Sequence, residues 1–336
     1  MPTSWEHRHG TAGGPIELVA ADGFGTVTLT HDINMFDTSW FTVRDVTIRP
    51  GGDVFHCEQC RHITISHVHF DGGARVAHET IKVNQSSDIV IENSDIHGAN
   101  DNAIDFVAVV NARIVNNKIH DSEDWCAYAK GGSVNIVVEG NEIYNCGTGG
   151  FTAGQGSGLE FMMAPHLTYE AEDVMVRNNE IHDTDGAGLG VNGGLRITMT
   201  GNHLVRVGRR SHLVEFTFGA RGCDGDIAKC RALLAQGAWG TDQRDDGTNA
   251  VAIPNQDVRF ENNVIDNPAP YRSGWQHFEI PGPRQGKRAD DGLVIANNTI
   301  HNGGPDMPLG IGDGTGCAPT NPTCNETQLR RDNRIN

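Results

Sequence analysis

The amino-acid sequence predicts an all-β fold in which a single domain is wound as a parallel β-helix of about nine or more coils. Three observations predict it: a short motif recurs at a nearly constant spacing, apolar and polar residues alternate before each motif, and Asn, Asp and Gly cluster between Val- and Ile-rich runs. Alternating runs bounded by such turn residues are typical of strands, and a fixed period indicates stacked coils.

The repeated motif is an apolar residue, a pair rich in Asn or Gly, a variable residue and a second apolar residue. Successive copies end at Ile48, Phe70, Ile96, Ile119, Ile143, Ile181, Leu204, Ile265 and Ile300. Most ends lie 22 to 26 residues apart, with longer intervals after Ile143, Leu204 and Ile265. One such coil cannot bury its apolar face alone, so coils must stack. The alternative is a β-sandwich with regularly spaced turns.

The Asn pairs, such as Asn116-Asn117 and Asn178-Asn179, suit tight corners because Asn tolerates the left-handed conformation. Stacked Asn side chains at successive corners are expected to form a hydrogen-bond ladder. We expect residues 1–40 to form an N-terminal cap or first coil, residues 41–302 the β-helix, and residues 303–336 an irregular tail. Insertions at about 147–172 and 219–256 are expected to wall a groove, as long loops on rigid scaffolds commonly do.

The composition restricts the partners and the compartment. The chain has 43 acidic and 26 basic residues, a net charge of −17, which argues against binding nucleic acid or an anionic membrane. No apolar run is long enough to span a membrane, and no signal peptide is visible at the N-terminus, so a secreted form would be the mature chain.

Eight cysteines lie in four pairs that are close in sequence: Cys57 and Cys60, Cys126 and Cys146, Cys223 and Cys230, and Cys317 and Cys324. Four local disulfides and an extracellular or periplasmic location are therefore expected. The alternative for Cys57 and Cys60 is half of a zinc site, although no second pair has the same spacing.

With this repeat, the chain resembles the pectate-lyase-like superfamily of right-handed parallel β-helix proteins over about residues 40–302. The resemblance implies a right-handed helix that acts on a polysaccharide, acidic or neutral. The superfamily includes polysaccharide lyases, glycoside hydrolases, epimerases and phage tailspikes, so the fold alone does not fix the chemistry. The resemblance rests on the repeat and not on a catalytic signature.

A column of charged residues is predicted on one outer face of the helix. Counting eleven residues back from Asn93 and Asn116 gives Lys82 and Asp105, each between apolar residues that point inward. Later coils add Lys130, which is one residue off this count, and Glu160, Glu215 and Glu279. Further groups precede or follow these strands: His78, Arg210, His212, Arg221, Trp275 and His277. We expect Trp275, His277, Glu279 and His78 to contact the sugar, Trp275 by stacking on a ring.

The first functional hypothesis is a lyase that cleaves a uronic-acid polysaccharide by β-elimination. Such a reaction needs a base at C5 and a cation to neutralise the carboxylate. Lys130 is the first candidate base and Lys82 the second, while Arg210 and Arg221 are candidates for gripping carboxylates. The resemblance implies that calcium can take the neutralising role, and oxygen ligands for it are available from Asp101, Asp105, Asp121 and Asp124.

Two other functions stay open. An inverting glycoside hydrolase would use Glu160 and Glu215, placed two coils and roughly 9–10 Å apart, and an epimerase is related in chemistry. A non-catalytic glycan-binding β-helix is the third possibility and would usually be a trimer, whereas the enzyme is expected to be a monomer. No phosphate-binding loop or nucleophile elbow is present in the sequence, so no organic cofactor is expected.

Overall fold

The computed structural model describes residues 4–50, 52–244, 248–303 and 326–336. Each coil contributes one strand to each of three long sheets, here called A, B and C, and every paired strand within them runs parallel. The strands of sheet A are Ser4–Glu6, Ile33–Phe36, Phe55–Glu58, Ile81–Asn84, Ile104–Val107, Trp125–Lys130, Gly149–Gly154, Ala187–Asn192, Val214–Thr217 and Phe278–Glu279. The predicted parallel β-helix is confirmed.

Sheets B and C complete each coil. The strands of sheet B are Ile16–Val19, Ser39–Arg44, Arg61–Ser66, Ser87–Glu92, Val110–Val115, Ser133–Glu139, Ala171–Arg177, Thr198–Thr200, Arg259–Glu261 and Val294–Ala296, with Gly194–Leu195 paired beside them. The strands of sheet C are Thr28–Leu29, Thr47–Ile48, His69–Asp71, Asp95–His97, Lys118–Ser122, Glu142–Cys146, Glu180–His182, His203–Val205, Val264–Asn267, Thr299–Asn302 and Arg334–Ile335.

The residues that end each copy of the motif form one buried column in sheet C. Adjacent members are in register from Ile48 and Phe70 through to Ile265 and Ile300, and all are fully buried. Because side chains alternate between the two faces of a strand, the same register places the intervening polar residues outside. The 23-residue period therefore reflects one turn of the helix.

The predicted asparagine ladder follows the corner between sheets B and C. From Asn117 onwards, the second residue of each pair is a buried Asn. Its Oδ1 accepts a hydrogen bond from the backbone N–H of the ladder residue one coil earlier. Asn141 Oδ1, for example, lies 2.9 Å from the Asn117 backbone N, and Asn141 Nδ2 donates to the Ile114 carbonyl at 2.9 Å. Other members are Asn179, Asn202, Asn263, Asn298 and Asn333. The first residue of the pair has positive φ, as at Asn116 and Asn178.

The two insertions lie side by side. The strands Gly156–Gly158, Gly219–Gly222 and Val251–Ile253 form a small sheet that joins them, and the 3-10 helix Leu159–Phe161 and the α-helix Ile227–Ala235 pack nearby. The strand Gly149–Gly154 belongs to sheet A, so the first insertion begins later than residue 147. The disulfide between Cys223 and Cys230 lies within the second insertion.

The two ends of the chain compare differently with the sequence-based expectation. At the N-terminus, the strands Ser4–Glu6, Ile16–Val19 and Thr28–Leu29 form a first coil, which is one of the two expected arrangements. At the C-terminus, the helix Glu326–Asp332 and the strand Arg334–Ile335 extend the stack instead of forming an irregular tail.

Three of the four expected disulfides are present: Cys57–Cys60, Cys126–Cys146 and Cys223–Cys230. Cys317 and Cys324 lie outside the described residues. Among the described helices, none has the length and apolar character needed to cross a membrane.

Candidate functional site on sheet A

The outer face of sheet A carries one row of residues whose identity changes at most coils. In register, this outer row is His56, Lys82, Asp105, Tyr128, Thr152, Gly190, Glu215 and Glu279. Lys82 and Asp105 are neighbours, as predicted. Lys130 lies two residues further along its strand, in register with Val107, and Glu160 lies outside the sheet. The predicted column of six charges is therefore wrong at Lys130 and Glu160.

Lys82 is held between two buried carboxylates. Its Nζ lies 2.6 Å from Glu79 Oε1 and 3.1 Å from Asp105 Oδ2. Burial lowers the pKa of Lys82, but the negative charges of Asp105 and Glu79 outweigh it and raise that pKa to about 12. Lys82 thus carries a positive charge at neutral pH, which suits it to binding an anion and not to removing a proton. The other oxygen of Asp105, Oδ1, has no hydrogen-bond partner among the described residues, although Asp105 is only 2% exposed.

Tyr128 is the next residue of the row and is almost fully buried. Burial, and after it the negative charges of Asp105, Asp101 and Glu79, raise the pKa of its hydroxyl far above the ordinary value. The phenol therefore stays protonated at neutral pH. Lys130 Nζ lies 4.2 Å from the centre of the Tyr128 ring and 3.1 Å from Gln155 Oε1. A cation over an aromatic face is attracted to it, so Tyr128 also positions Lys130.

A groove of about 460 Å³ opens over these side chains. Its floor contains Lys82, Asp105 and Lys130, and its wall comes from the insertions through Ser157, Phe161 and Asp224. The prediction that loops wall a groove on the helix agrees with this arrangement. Two lysine side chains thus lie in one concave site of a strongly acidic protein.

The wall of the groove is held by a buried ion pair. Arg221 Nη2 lies 2.6 Å from Glu170 Oε1, and both side chains are 0% exposed. Glu170 Oε2 accepts hydrogen bonds from the Gly131 backbone N–H at 2.9 Å and from Ser157 Oγ at 2.7 Å. Glu170 therefore connects the residue after Lys130 to both insertions. Arg221, predicted to grip a substrate carboxylate, is committed to this contact and does not reach the groove.

Glu160 has an equally structural position. Its carboxylate accepts hydrogen bonds from the backbone N–H groups of Asp224 and Asp226, at 3.0 and 2.9 Å. Burial raises the pKa of Glu160, but these backbone hydrogen bonds outweigh it and lower that pKa overall. Glu160 anchors the second insertion beside the Cys223–Cys230 disulfide, so it cannot form the predicted catalytic pair with Glu215.

Glu215 pairs instead with Glu279, which is in register with it on the next coil. A Cβ on Gly190 would lie 2.8 Å from Cη2 of Trp125 and 3.1 Å from Cγ of Glu215, so both side chains approach the space above Gly190. Burial raises the pKa of Glu215 to about 7, with the charge of Glu279 acting in the same direction. Asn192 Nδ2 donates to Glu215 Oε1 at 3.0 Å and opposes the shift.

The remaining predicted sugar contacts lie around this second carboxyl pair or beside Lys82. His212 Nδ1 is 3.2 Å from Glu279 Oε2, and the largely exposed Trp275 packs edge-on against His212 with ring centres 5.5 Å apart. His277, in contrast, is buried. Arg210 is 71% exposed and pairs with Asp185 at 2.7 Å. His78 Nδ1 is 2.6 Å from Glu79 Oε2, so it borders the Lys82 cluster.

The four aspartates predicted to bind calcium do not meet at one point. Burial and the nearby charge of Asp124 raise the pKa of Asp101 to about 6, so these two carboxyl groups are close. Asp105, however, pairs with Lys82, and Asp121 Oδ2 is 2.7 Å from His120 Nδ1 while its Oδ1 accepts from Asn145. The donor set therefore does not fit a calcium ion bound by all four.

Sequence reasoning missed Tyr128, Glu79 and Trp125. One extra residue follows the strand Trp125–Lys130, because Val107 and Val110 are three residues apart while their register partners Lys130 and Val134 are four apart. The extra residue lies in the corner 131–133, so counting back from the next motif misses the outward Tyr128 by one residue. Glu79 gave a weak signal, since it stands three residues before Lys82.

Comparisons with known proteins agree with this fold. The model of the family described as "Right handed beta helix region" matches residues 32–218. No curated protein matches the chain by sequence. Among solved structures, the A-module of the Azotobacter vinelandii mannuronan C-5 epimerase AlgE4 is similar, with 16% identity, a TM-score of 0.55 and coverage of 92% of this chain and 87% of that one.

Two other solved structures are similar at the level of the fold. The A-module of the Azotobacter vinelandii mannuronan C-5 epimerase AlgE6 has 14% identity and a TM-score of 0.50, covering 95% of this chain and 82% of that one. The Pseudomonas phage phi297 tailspike gp61 has 13% identity and a TM-score of 0.50, covering 86% of this chain and 42% of that one. Since the family model spans more than half of the residues, the chain belongs to the right-handed β-helix family.

Proposed function

We propose that this protein is a polysaccharide-modifying enzyme that acts at C5 of a uronic acid residue bound in the groove over Lys82, Asp105, Tyr128 and Lys130. The observation that carries the proposal is that Lys82 and Lys130 line one groove, with the buried phenol of Tyr128 packed beneath Lys130. The cations would attract an anionic sugar to an otherwise acidic protein. Two similar solved structures bear the name mannuronan C-5 epimerase, which fits a polyuronide substrate.

The chemistry follows from the charge of each group. Lys82, which stays protonated, would pair with the substrate carboxylate and stabilise the negative charge that develops there when C5 loses its proton. Lys130 is our candidate for the base that takes this proton. Tyr128 would then supply a proton. Delivery to the departing O4 oxygen completes β-elimination, and delivery to the opposite face of C5 completes epimerisation.

β-Elimination is our first hypothesis and epimerisation the second, and one experiment separates them. The full-length protein is incubated in D₂O with polymannuronate, polyguluronate and polygalacturonate, with and without EDTA. A lyase gives an absorbance rise near 235 nm, while an epimerase gives deuterium at C5 without chain cleavage. Loss of either signal in EDTA would show that the reaction depends on a metal ion.

Matched lysine variants connect either signal to the groove. Lys82→Met and Lys130→Met are expected to lower the rate by at least about 100-fold, the usual scale for losing a charged or acid–base group. Lys118→Met is the control, because Lys118 is exposed on sheet C and pairs with Glu142. No C5 deuterium and no absorbance change on any polyuronide, or equal effects of all three variants, would contradict the proposal.

A second candidate function is glycoside hydrolysis by Glu215 and Glu279. The observation in its favour is a carboxyl group with a pKa of about 7 next to a second carboxylate on the adjacent coil, about 4.8 Å away along the axis. That spacing is closer to a retaining than to an inverting arrangement. New reducing ends without absorbance near 235 nm, lost in both Glu215→Gln and Glu279→Gln, would favour this function.

We also propose that the protein works outside the cytoplasm as a monomer. The three disulfides of the described residues fit an oxidising compartment. Binding of a polysaccharide without any of the chemical changes above would instead identify a glycan-binding β-helix.

A further inference from the structure

Sheet C carries a second cluster of chemically active side chains on its outer face, on the strands His69–Asp71 and Asp95–His97. The register places Asp95 beside His69 and His97 beside Asp71, so two histidines and two aspartates alternate in a square. This cluster belongs to a different sheet from the groove, and the proposed function does not use it.

Three of these residues can meet at one ion. Ligand atoms of His69, Asp71 and His97 all lie within 4.8 Å of one another, and His97 Nε2 is 3.6 Å from Asp71 Oδ1. Two ligands at about 2.0–2.1 Å from a tetrahedral metal are separated by about this distance. The His69 and His97 rings are inclined at 66°, with centres 5.0 Å apart. Inclined imidazoles can direct their nitrogen lone pairs to a common point, which parallel stacked rings cannot do.

Asp95, the fourth member of the square, orients the His97 ring from the side opposite Asp71. Asp95 Oδ1 lies 2.9 Å from His97 Nδ1, and His120 Nε2 lies 3.1 Å from the same oxygen. With its Nδ1–H donated to Asp95, His97 presents the lone pair of Nε2 towards Asp71. A carboxylate behind a histidine is the usual outer-shell arrangement of metal sites.

The other contacts of Asp71 leave one oxygen available. Arg49 Nε binds Oδ2 at 2.6 Å, and the Gly73 backbone N–H donates to Oδ1 at 2.8 Å. A carboxylate oxygen has two lone pairs, so Oδ1 can still coordinate a cation. All three ligands are partly buried, which limits competition from water.

We propose that His69, Asp71 and His97 bind a divalent transition metal such as Zn²⁺, with Asp95 as the outer-shell carboxylate and solvent at the fourth position. Two imidazoles and one carboxylate suit such ions and not calcium, which prefers oxygen alone. The ion would join two successive coils through their side chains. Because it would bind only the folded protein, it would raise the melting temperature.

The test is calorimetric titration of the full-length, EDTA-treated and dialysed protein with ZnCl₂, together with thermal melting with and without the metal. Wild type is expected to bind one equivalent and to melt at a higher temperature when Zn²⁺ is present. Asp71→Asn and His97→Gln should lower the affinity at least 100-fold and abolish the shift. Asp95→Asn should lower the affinity about 10- to 100-fold, as outer-shell changes do.

His182→Gln is the matched control, since His182 stacks on Tyr144 further along the same sheet and lies outside the cluster. Its affinity should equal that of wild type. Melting of each variant without metal separates loss of the site from loss of the fold. The proposal fails if wild type binds no stoichiometric Zn²⁺ or if His97→Gln binds it normally. It also fails if His120→Gln abolishes binding while His69→Gln does not, because the ion would then lie on the other side of Asp95.

Discussion

The asparagine corner and the outer row of sheet A illustrate two uses of the same coil. At the corner, one residue type repeats from Asn117 to Asn333, and each amide satisfies backbone groups of the neighbouring coils. In the outer row the residue changes at most coils, as from Lys82 to Asp105 to Tyr128. Those side chains do not form a hydrogen bond to the backbone that recurs from coil to coil, and burying their charges opposes folding. Repeated positions therefore hold the stack, and the departures from repetition indicate where chemistry occurs.

The largest expected effect that tests this comparison is on activity. Tyr128→Phe removes only the buried hydroxyl of the outer row, so the proposed proton donor is lost while the ring under Lys130 remains. We expect the rate of C5 chemistry to fall about 10²- to 10⁴-fold with little change in melting temperature. Tyr144→Phe, in the stacked rings of sheet C, is the control and should keep full activity. Normal rates in Tyr128→Phe would rule out its role as the acid.

The next effect is on stability and lies in the wall of the groove. Glu170→Gln leaves Arg221 buried without its counter-charge, and breaking such a pair usually lowers the free energy of unfolding by about 3–5 kcal/mol. Urea unfolding measures this loss. The double variant Glu170→Gln/Arg221→Met should recover part of it, because no buried charge is left. In Arg177→Met, which removes the partly exposed pair with Glu139, the loss should stay below about 1 kcal/mol. Equal losses in both single variants would contradict this account.

A substitution in the asparagine corner should lower the free energy of unfolding without changing the rate of the enzyme. Asn141→Ala removes the acceptor for the Asn117 backbone N–H and the donor to the Ile114 carbonyl, so buried polar groups lose partners at about 1–3 kcal/mol. Urea unfolding should show this loss, while the rate of the folded enzyme stays unchanged. Asn34→Ala, at an exposed position of sheet A, should leave both unchanged. A loss of activity in folded Asn141→Ala protein would show that the corner is not purely structural.

Sequence reasoning succeeded where the coil length is constant. The coils of Lys82 and Asp105 are 23 residues apart, so counting from the Asn pair predicted their contact. It failed at Lys130 because the corner 131–133 after that strand holds one extra residue, and at Glu160 and Arg221 because insertions have no period from which a position can be counted. The role of Lys82 as a base was also unsupported, since Asp105 and Glu79 together reverse the pKa shift that burial alone would give. The contact with Glu79 depends on a turn whose geometry the pattern does not describe.

The smallest expected effect uses pH to separate the two regions. The pKa of Glu215 is raised from its ordinary value of 4.5 to about 7, so the folded protein binds this proton more tightly than the unfolded chain does. Stability from this group is therefore fully present below about pH 4.5 and is lost as the pH rises through 7. Glu215→Gln should remove this slope in urea unfolding between pH 4.5 and 8. Asn141→Ala should keep it, because an amide does not titrate; the same slope in both variants would assign the pH dependence to other groups.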